Sequence, residues 1–191
     1  MPDPCILSRN QFLFMKINRI IACSFLLCSI SFSISAQESK QHAETIHWMS
    51  IQEALQLSKT TPKKVFLDVY TNWCGWCKKM DVSTFDDPEV VGYVNAHFYP
   101  VKFNAETHDT IQYLDKSYLY KPDYRANELA ALFLNGQMSY PTSVYLDEKS
   151  NLIGPVPGYL DAKQFLVVIK YFGEDTYKSK KWEDYIRENF K

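Results

Sequence analysis

Between Val65 and Tyr70 the chain reads VFLDVY, a run that is apolar, β-branched or aromatic at every position except Asp68. A run without polar alternation is the pattern of a strand buried on both faces, which needs layers above and below it. The chain then breaks at once into TNWCGWCKKMDVSTF, placing Cys74 and Cys77 where that strand gives way to a helix. In α/β layer architectures, sites form where the chain leaves the carboxyl end of a strand. These few residues therefore constrain both the fold and the place to look for chemistry.

The flanking elements agree. Ser50 and Glu53 form a capping box ahead of a helix with an apolar face of Ile51, Ala54, Leu55 and Leu57, ended by Pro62. After the cysteines, Asp87 caps a helix whose first position is Pro88, where the missing N–H is harmless. FYPVKFNAE reads as a second strand, and ANELAALFLNG as a helix with Leu129, Leu132 and Phe133 on one face and a stop at Gly136. Two strands joined by a turn at Asp147–Ser150 follow, then a helix capped by Asp161 and a last amphipathic helix. Residues 107–125, with Ile111, Tyr113, Tyr118 and Tyr120 alternating around Asp115–Lys116, predict an inserted hairpin or a decorated surface loop.

From Met15 the sequence has a short basic region with Lys16 and Arg19, an apolar, serine-interrupted stretch from Ile20 to Ile34, and a small residue at Ala36. That is the layout of a secretory signal peptide over residues 1–36, with Met15 as a candidate true start. The alternative is an uncleaved membrane anchor, although a spanning helix needs about 20 predominantly apolar residues. Residues 37–45 then read as a linker, 46–173 as the domain and 174–191 as a C-terminal helical extension. Cleavage leaves 18 basic and 21 acidic residues, so charge gives no reason to expect nucleic acid as a partner. It also removes Cys5, Cys23 and Cys28, leaving Cys74 and Cys77 as the only pair. One pair so close in sequence is not a stapled scaffold, and its use points to chemistry.

A thiolate at Cys74, at or just before a helix N-terminus, is favoured by unpaired N–H groups and the helix dipole. Cys77 lies one helical turn on, so it returns to the same face and can resolve the mixed disulfide formed at Cys74. Haem attachment would need histidine after the second cysteine, where Lys78 stands. A structural zinc site would need two more ligands, and His42, His47, His97 and His108 form no ligand-spaced pair, so no metal is expected. Asp68, inside an apolar strand, has to be paired or protonated if buried.

VFLDVYTNWCGWCKKM, YPVKFN and SYPTSVYLD, three separated motifs in order, resemble the thioredoxin family, specifically its exported bacterial members, over roughly residues 46–172. The resemblance implies a thioredoxin fold: a mixed central sheet flanked by helices, here with an inserted hairpin and an extra C-terminal helix. It implies Cys74 as nucleophile, Cys77 as resolving cysteine, Asp68 as the buried acid that assists proton transfer, Lys102 as its companion and Pro141 as the cis-proline. Trp73 would shield the pair, and Gly75, Trp76 and Tyr140 would complete the substrate-binding rim. Trp76 stands where the classical family has proline, and Tyr140 where an aliphatic residue is usual. The implied protein is an exported, periplasmic thiol–disulfide oxidoreductase, a monomer without a cofactor. It would act on protein disulfides and thiols, as a reductase or interchange protein rather than an oxidase, and be recharged by a membrane electron donor. The alternative is a thioredoxin-fold binding or assembly module.

Overall fold

The computed structural model describes residues 44–190; the leader, most of the linker and the leader cysteines lie outside them. A four-stranded mixed sheet forms the centre. Strand β1 (Lys64–Tyr70) runs parallel to β2 (Phe98–Asn104) and antiparallel to β7 (Thr142–Leu146), which pairs with β8 (Leu152–Pro157). The burial of β1 from Lys64 to Val69 follows from its place inside the sheet, with a layer on each face.

Alternation along β1 assigns its side chains to two cores. Val65, Leu67 and Val69 face one layer, where helix α1 (Ile51–Thr60) contributes Ile51 and Ala54, and helix α4 (Glu128–Phe133) contributes Leu129 and Phe133. Phe66 faces the other, formed by helices α2 (Gly75–Ser83), α3 (Pro88–His97) and α5 (Ala162–Gly173), where Met80, Phe85, Val94 and Phe165 pack with Tyr145. Each of the Val, Leu, Ile, Phe and Met side chains among these, fully buried, contributes roughly 1.5–3 kcal/mol relative to exposure.

Local chemistry starts these helices where the sequence predicts. Ser50 and Glu53 form the reciprocal capping box of α1. Asp87 accepts from the N–H groups of Glu89 and Val90 at 2.9 and 3.2 Å, and Asp161 and Gln164 cap α5 reciprocally. Two apolar assignments need correction. Leu57 is exposed, and the third buried position of α1 is Ser58, whose hydroxyl donates to the Ala54 carbonyl at 2.9 Å. Leu132 is also exposed, while Ala130 is buried between Leu129 and Phe133. Residue 132 lies roughly 110° from the centre of that face at about 100° per residue.

The insertion is a hairpin of β3 (Ile111–Tyr113) and β4 (Lys116–Tyr118), followed by a two-residue pairing of β5 (Tyr120–Lys121) with β6 (Ala126–Asn127). It is more than a decorated surface loop. Ile111 and Tyr113 enter the core with α1 and α4, and the Tyr113 hydroxyl donates to the Ser150 carbonyl at 2.6 Å. At the C-terminal end, helix α6 (Trp182–Asn189) rests Trp182 and Tyr185 on Tyr171, with ring centroids at 5.1 and 4.8 Å. Among the described residues no helix is long and apolar enough to cross a membrane.

Candidate active site: the Cys74–Cys77 pair

Strand β1 ends at Tyr70, the N–H of Cys74 donates to the Thr71 carbonyl at 3.1 Å, and Cys74 becomes the N-cap of α2. Its Sγ is disulfide-bonded to Cys77 and accepts the Cys77 N–H at 3.0 Å. A helix start offers unpaired N–H groups, and a cysteine sulfur takes the capping role otherwise filled by a serine or aspartate oxygen. On reduction the same N–H and the dipole of α2 would meet a thiolate and favour it over the thiol. Both cysteines are buried, Cys74 at 5% exposure, so an incoming sulfur has a narrow approach.

On the strand that leads into the pair, Asp68 is 1% exposed and accepts from Lys102 Nζ at 2.6 Å. The two residues are register partners on the parallel strands β1 and β2. Lys102 also bonds Asp81, so one ammonium bridges a buried and a half-exposed carboxylate. It lies over the rings of Trp48, Tyr70 and Phe85, at 5.0, 5.2 and 5.3 Å. Burial raises the Asp68 pKa to about 6; Lys102 pulls it down, and Asp81 pushes it up. Lys102 is itself held above its ordinary value: burial works against its charge, and the attraction of Asp68 and Asp81 outweighs that. The asymmetry has a physical cause, since the lysine keeps a quarter of its side chain in water while Asp68 keeps almost none. Asp81 escaped the sequence reading. Its signal was position, four residues after Cys77 and so on the same helix face.

The outer rim holds the remaining candidates. The Tyr140–Pro141 peptide bond is cis, and the Pro141 carbonyl accepts from the Gly158 N–H at 2.8 Å. Among the described residues neither the N–H nor the C=O of Tyr140 has a hydrogen-bond partner. Trp73 is 67% exposed and packs edge-on against Tyr140 at 5.8 Å. Its indole N–H donates to Glu106 at 2.9 Å. Trp76 is 57% exposed and packs on Tyr159 at 5.3 Å. Tyr159 and Glu106 were also missed, because each is brought to the rim from a distant loop. Gly75 opens α2 with no atom within 4 Å of where a Cβ would stand, so the chain's own packing does not demand glycine there.

Comparison with known proteins gives a consistent placement. The curated relatives include the thiol:disulfide interchange protein DsbD of Cronobacter sakazakii, 27% identical over 140 residues. That alignment takes in 70% of this chain and 21% of DsbD, so the chain spans about a fifth of that relative's length. Among solved structures, a putative disulphide-isomerase from Bacteroides thetaiotaomicron superposes with a TM-score of 0.53 at 24% identity, covering 73% of this chain and 98% of the other. A thioredoxin from Thermus thermophilus gives 0.51 at 22% identity, covering 69% and 93%. At these identities the likeness speaks for the fold. The family described as the thioredoxin-like domain matches residues 51–173, most of the chain, and the protein belongs to it.

Proposed function

We propose that this protein is an exported thiol–disulfide oxidoreductase that exchanges disulfides with protein substrates, acting as a reductase or interchange protein. The observation that carries the reading is the Cys74–Cys77 disulfide at the start of α2, with its sulfur already accepting a backbone N–H. The name of the DsbD relative supports the same chemistry.

In the reducing direction the Cys74 thiolate attacks one sulfur of a substrate disulfide. The substrate S–S bond breaks, a mixed disulfide forms, and the first substrate sulfur leaves and takes up a proton. Cys77 then loses its proton and attacks Cys74 Sγ, expelling the second substrate thiolate. Two electrons have passed to the substrate and the Cys74–Cys77 disulfide is formed. Asp68, with a pKa of about 6, is the group we assign to receive the Cys77 proton, because an acid that titrates near neutral pH can both take and return it. Lys102 limits how far burial raises that value. The electrons reside in the cysteine pair, so the reaction calls for no cofactor. A membrane electron donor would recharge the pair.

Trp73 covers the approach to Cys74, and Gly75 leaves room for a substrate backbone. The unpaired N–H and C=O of Tyr140, fixed by Pro141, suit pairing with an extended substrate segment. The test is a Cys77→Ser variant, which should accumulate substrates as mixed disulfides at Cys74. Failure to trap any disulfide substrate, with Cys74→Ser still binding a partner, would leave the binding-module reading instead.

A further inference from the structure

The rim of the dithiol is a closed ring. Trp73, bonded to Cys74, packs on Tyr140; Pro141 follows and is tied through its carbonyl to Gly158; Tyr159 follows that and packs on Trp76, which lies between the cysteines. The far side is fastened to the end of α2 and its C-cap: the Tyr159 hydroxyl shares a hydrogen bond with Ser83 at 3.0 Å, and Thr84 Oγ1 donates to the Leu160 carbonyl at 2.7 Å. Two aromatic walls thus stand on either side of the pair, held by backbone and helix and not by their own stacking alone.

The walls carry opposite charge. On the Trp73–Tyr140 wall, Glu106 spends one oxygen on the indole N–H. On the Trp76–Tyr159 wall, the Lys79 ammonium lies 4.8 Å from the Trp76 ring centroid and 5.2 Å from that of Tyr159. Among the described residues neither Glu106 nor Lys79 belongs to an ion pair, whereas Lys64, Lys102, Lys121, Lys170, Lys178 and Lys180 all do. An ammonium resting on ring faces keeps donors for a carboxylate, and a carboxylate bonded once keeps acceptors for a cation.

Building on the exchange reading above, we propose that this ring selects its substrate by direction. The occupant is an extended polypeptide whose cysteine is flanked by aromatic or apolar side chains. It carries a basic residue toward Glu106 and an acidic residue toward Lys79. A segment with its charges reversed meets like charge at both walls. Exposed pairs of this kind act weakly one at a time, but two favourable contacts exchanged for two unfavourable ones give a ratio of roughly three- to tenfold at low salt.

The experiment uses two peptides that differ only in which end bears each charge, Lys-Ala-Phe-Cys-Phe-Ala-Glu and Glu-Ala-Phe-Cys-Phe-Ala-Lys. Each carries its cysteine as a mixed disulfide with thionitrobenzoate, released as a coloured thiolate when the reduced protein attacks the peptide sulfur. The reading is the ratio of the two second-order rates. One peptide should react faster by about three- to tenfold, and the ratio should collapse toward one in 1 M salt, where the screening length falls to about 3 Å. It should collapse likewise in the Lys79→Met, Glu106→Gln double variant. Glutamine there keeps an acceptor for Trp73 and methionine keeps an apolar stem over the rings; because a ratio is read, a general loss of rate cancels. Equal rates in the unaltered protein, or an unchanged ratio in the double variant, overturn the directional proposal and leave the exchange reading standing. No chromophore release from either peptide refutes the exchange reading itself.

Discussion

Replacing Asp68 by asparagine tests the electrostatics of the buried Asp68–Lys102 pair directly. The carboxyl is 1% exposed, and its pKa of about 6 already includes the attraction of Lys102. A rise from 3.8 to about 6 corresponds to about 3 kcal/mol of preference for the neutral form, at about 1.4 kcal/mol per factor of ten. The folded state therefore binds this proton more tightly than the unfolded chain. Stability from this group is fully present below pH of about 4, falls as pH rises through about 6, and is level above that. Asparagine mimics the protonated acid in shape and charge, so Asp68→Asn should match the parent near pH 4. At pH 8 it should exceed the parent by up to about 3 kcal/mol. Urea unfolding of the oxidised protein at both pH values measures it; with a slope of about 1–3 kcal/mol/M, the pH 8 midpoint should rise by about 1–3 M. The other carboxylates are common to both proteins and drop out of the difference. A variant less stable than the parent at pH 8, or a difference that does not change with pH, would mean that the Lys102 pair outweighs burial and that the account of Asp68 is wrong.

Removing the cation should act in the opposite sense to a stabilising partner: Lys102→Met takes away both influences that lower the Asp68 pKa, so the pH-dependent step in stability, followed by the same unfolding titration, should move above pH 6. If it stays in place, Lys102 is not what holds Asp68 down. Gly75→Ala should fold with unchanged or slightly higher stability, since open space surrounds the new Cβ and alanine is favoured in a helix by up to about 1 kcal/mol. Its turnover of a protein disulfide should drop while that of a small disulfide holds, and an equal effect on both would remove the substrate-clearance role. Tyr113→Phe deletes the 2.6 Å bond to the Ser150 carbonyl and should cost about 1–3 kcal/mol in thermal or urea unfolding. A neutral result would show that the insertion contributes nothing to the domain through that contact.

Much of the molecule could be read from local signals. The central strand announced itself by continuous burial-prone residues, and three helix starts by Ser50–Glu53, Asp87–Pro88 and Asp161. The cysteine pair was legible because its chemistry requires short spacing. These features share one property: the residues that matter lie within a few positions of one another, where periodicity and capping act.

Other features depend on contacts between distant segments. Leu57 and Leu132 fit an apolar pattern yet face water, because a helix's buried arc is set by what packs against it. Asp81 acquires its place only through Lys102, 21 residues away on β2. Tyr159 reaches Trp76 only because the loop after β8 is fastened to α2, and the charge on each aromatic wall follows from how those loops close. The strand, the helix starts and the reactive pair follow from local signals, since backbone and nearest-neighbour forces act along the chain. What folding added was the second arm of the Lys102 bridge, to Asp81, and the ring that Glu106 and Tyr159 complete around the sulfurs, since charge pairing and packing depend on what distant segments bring into contact.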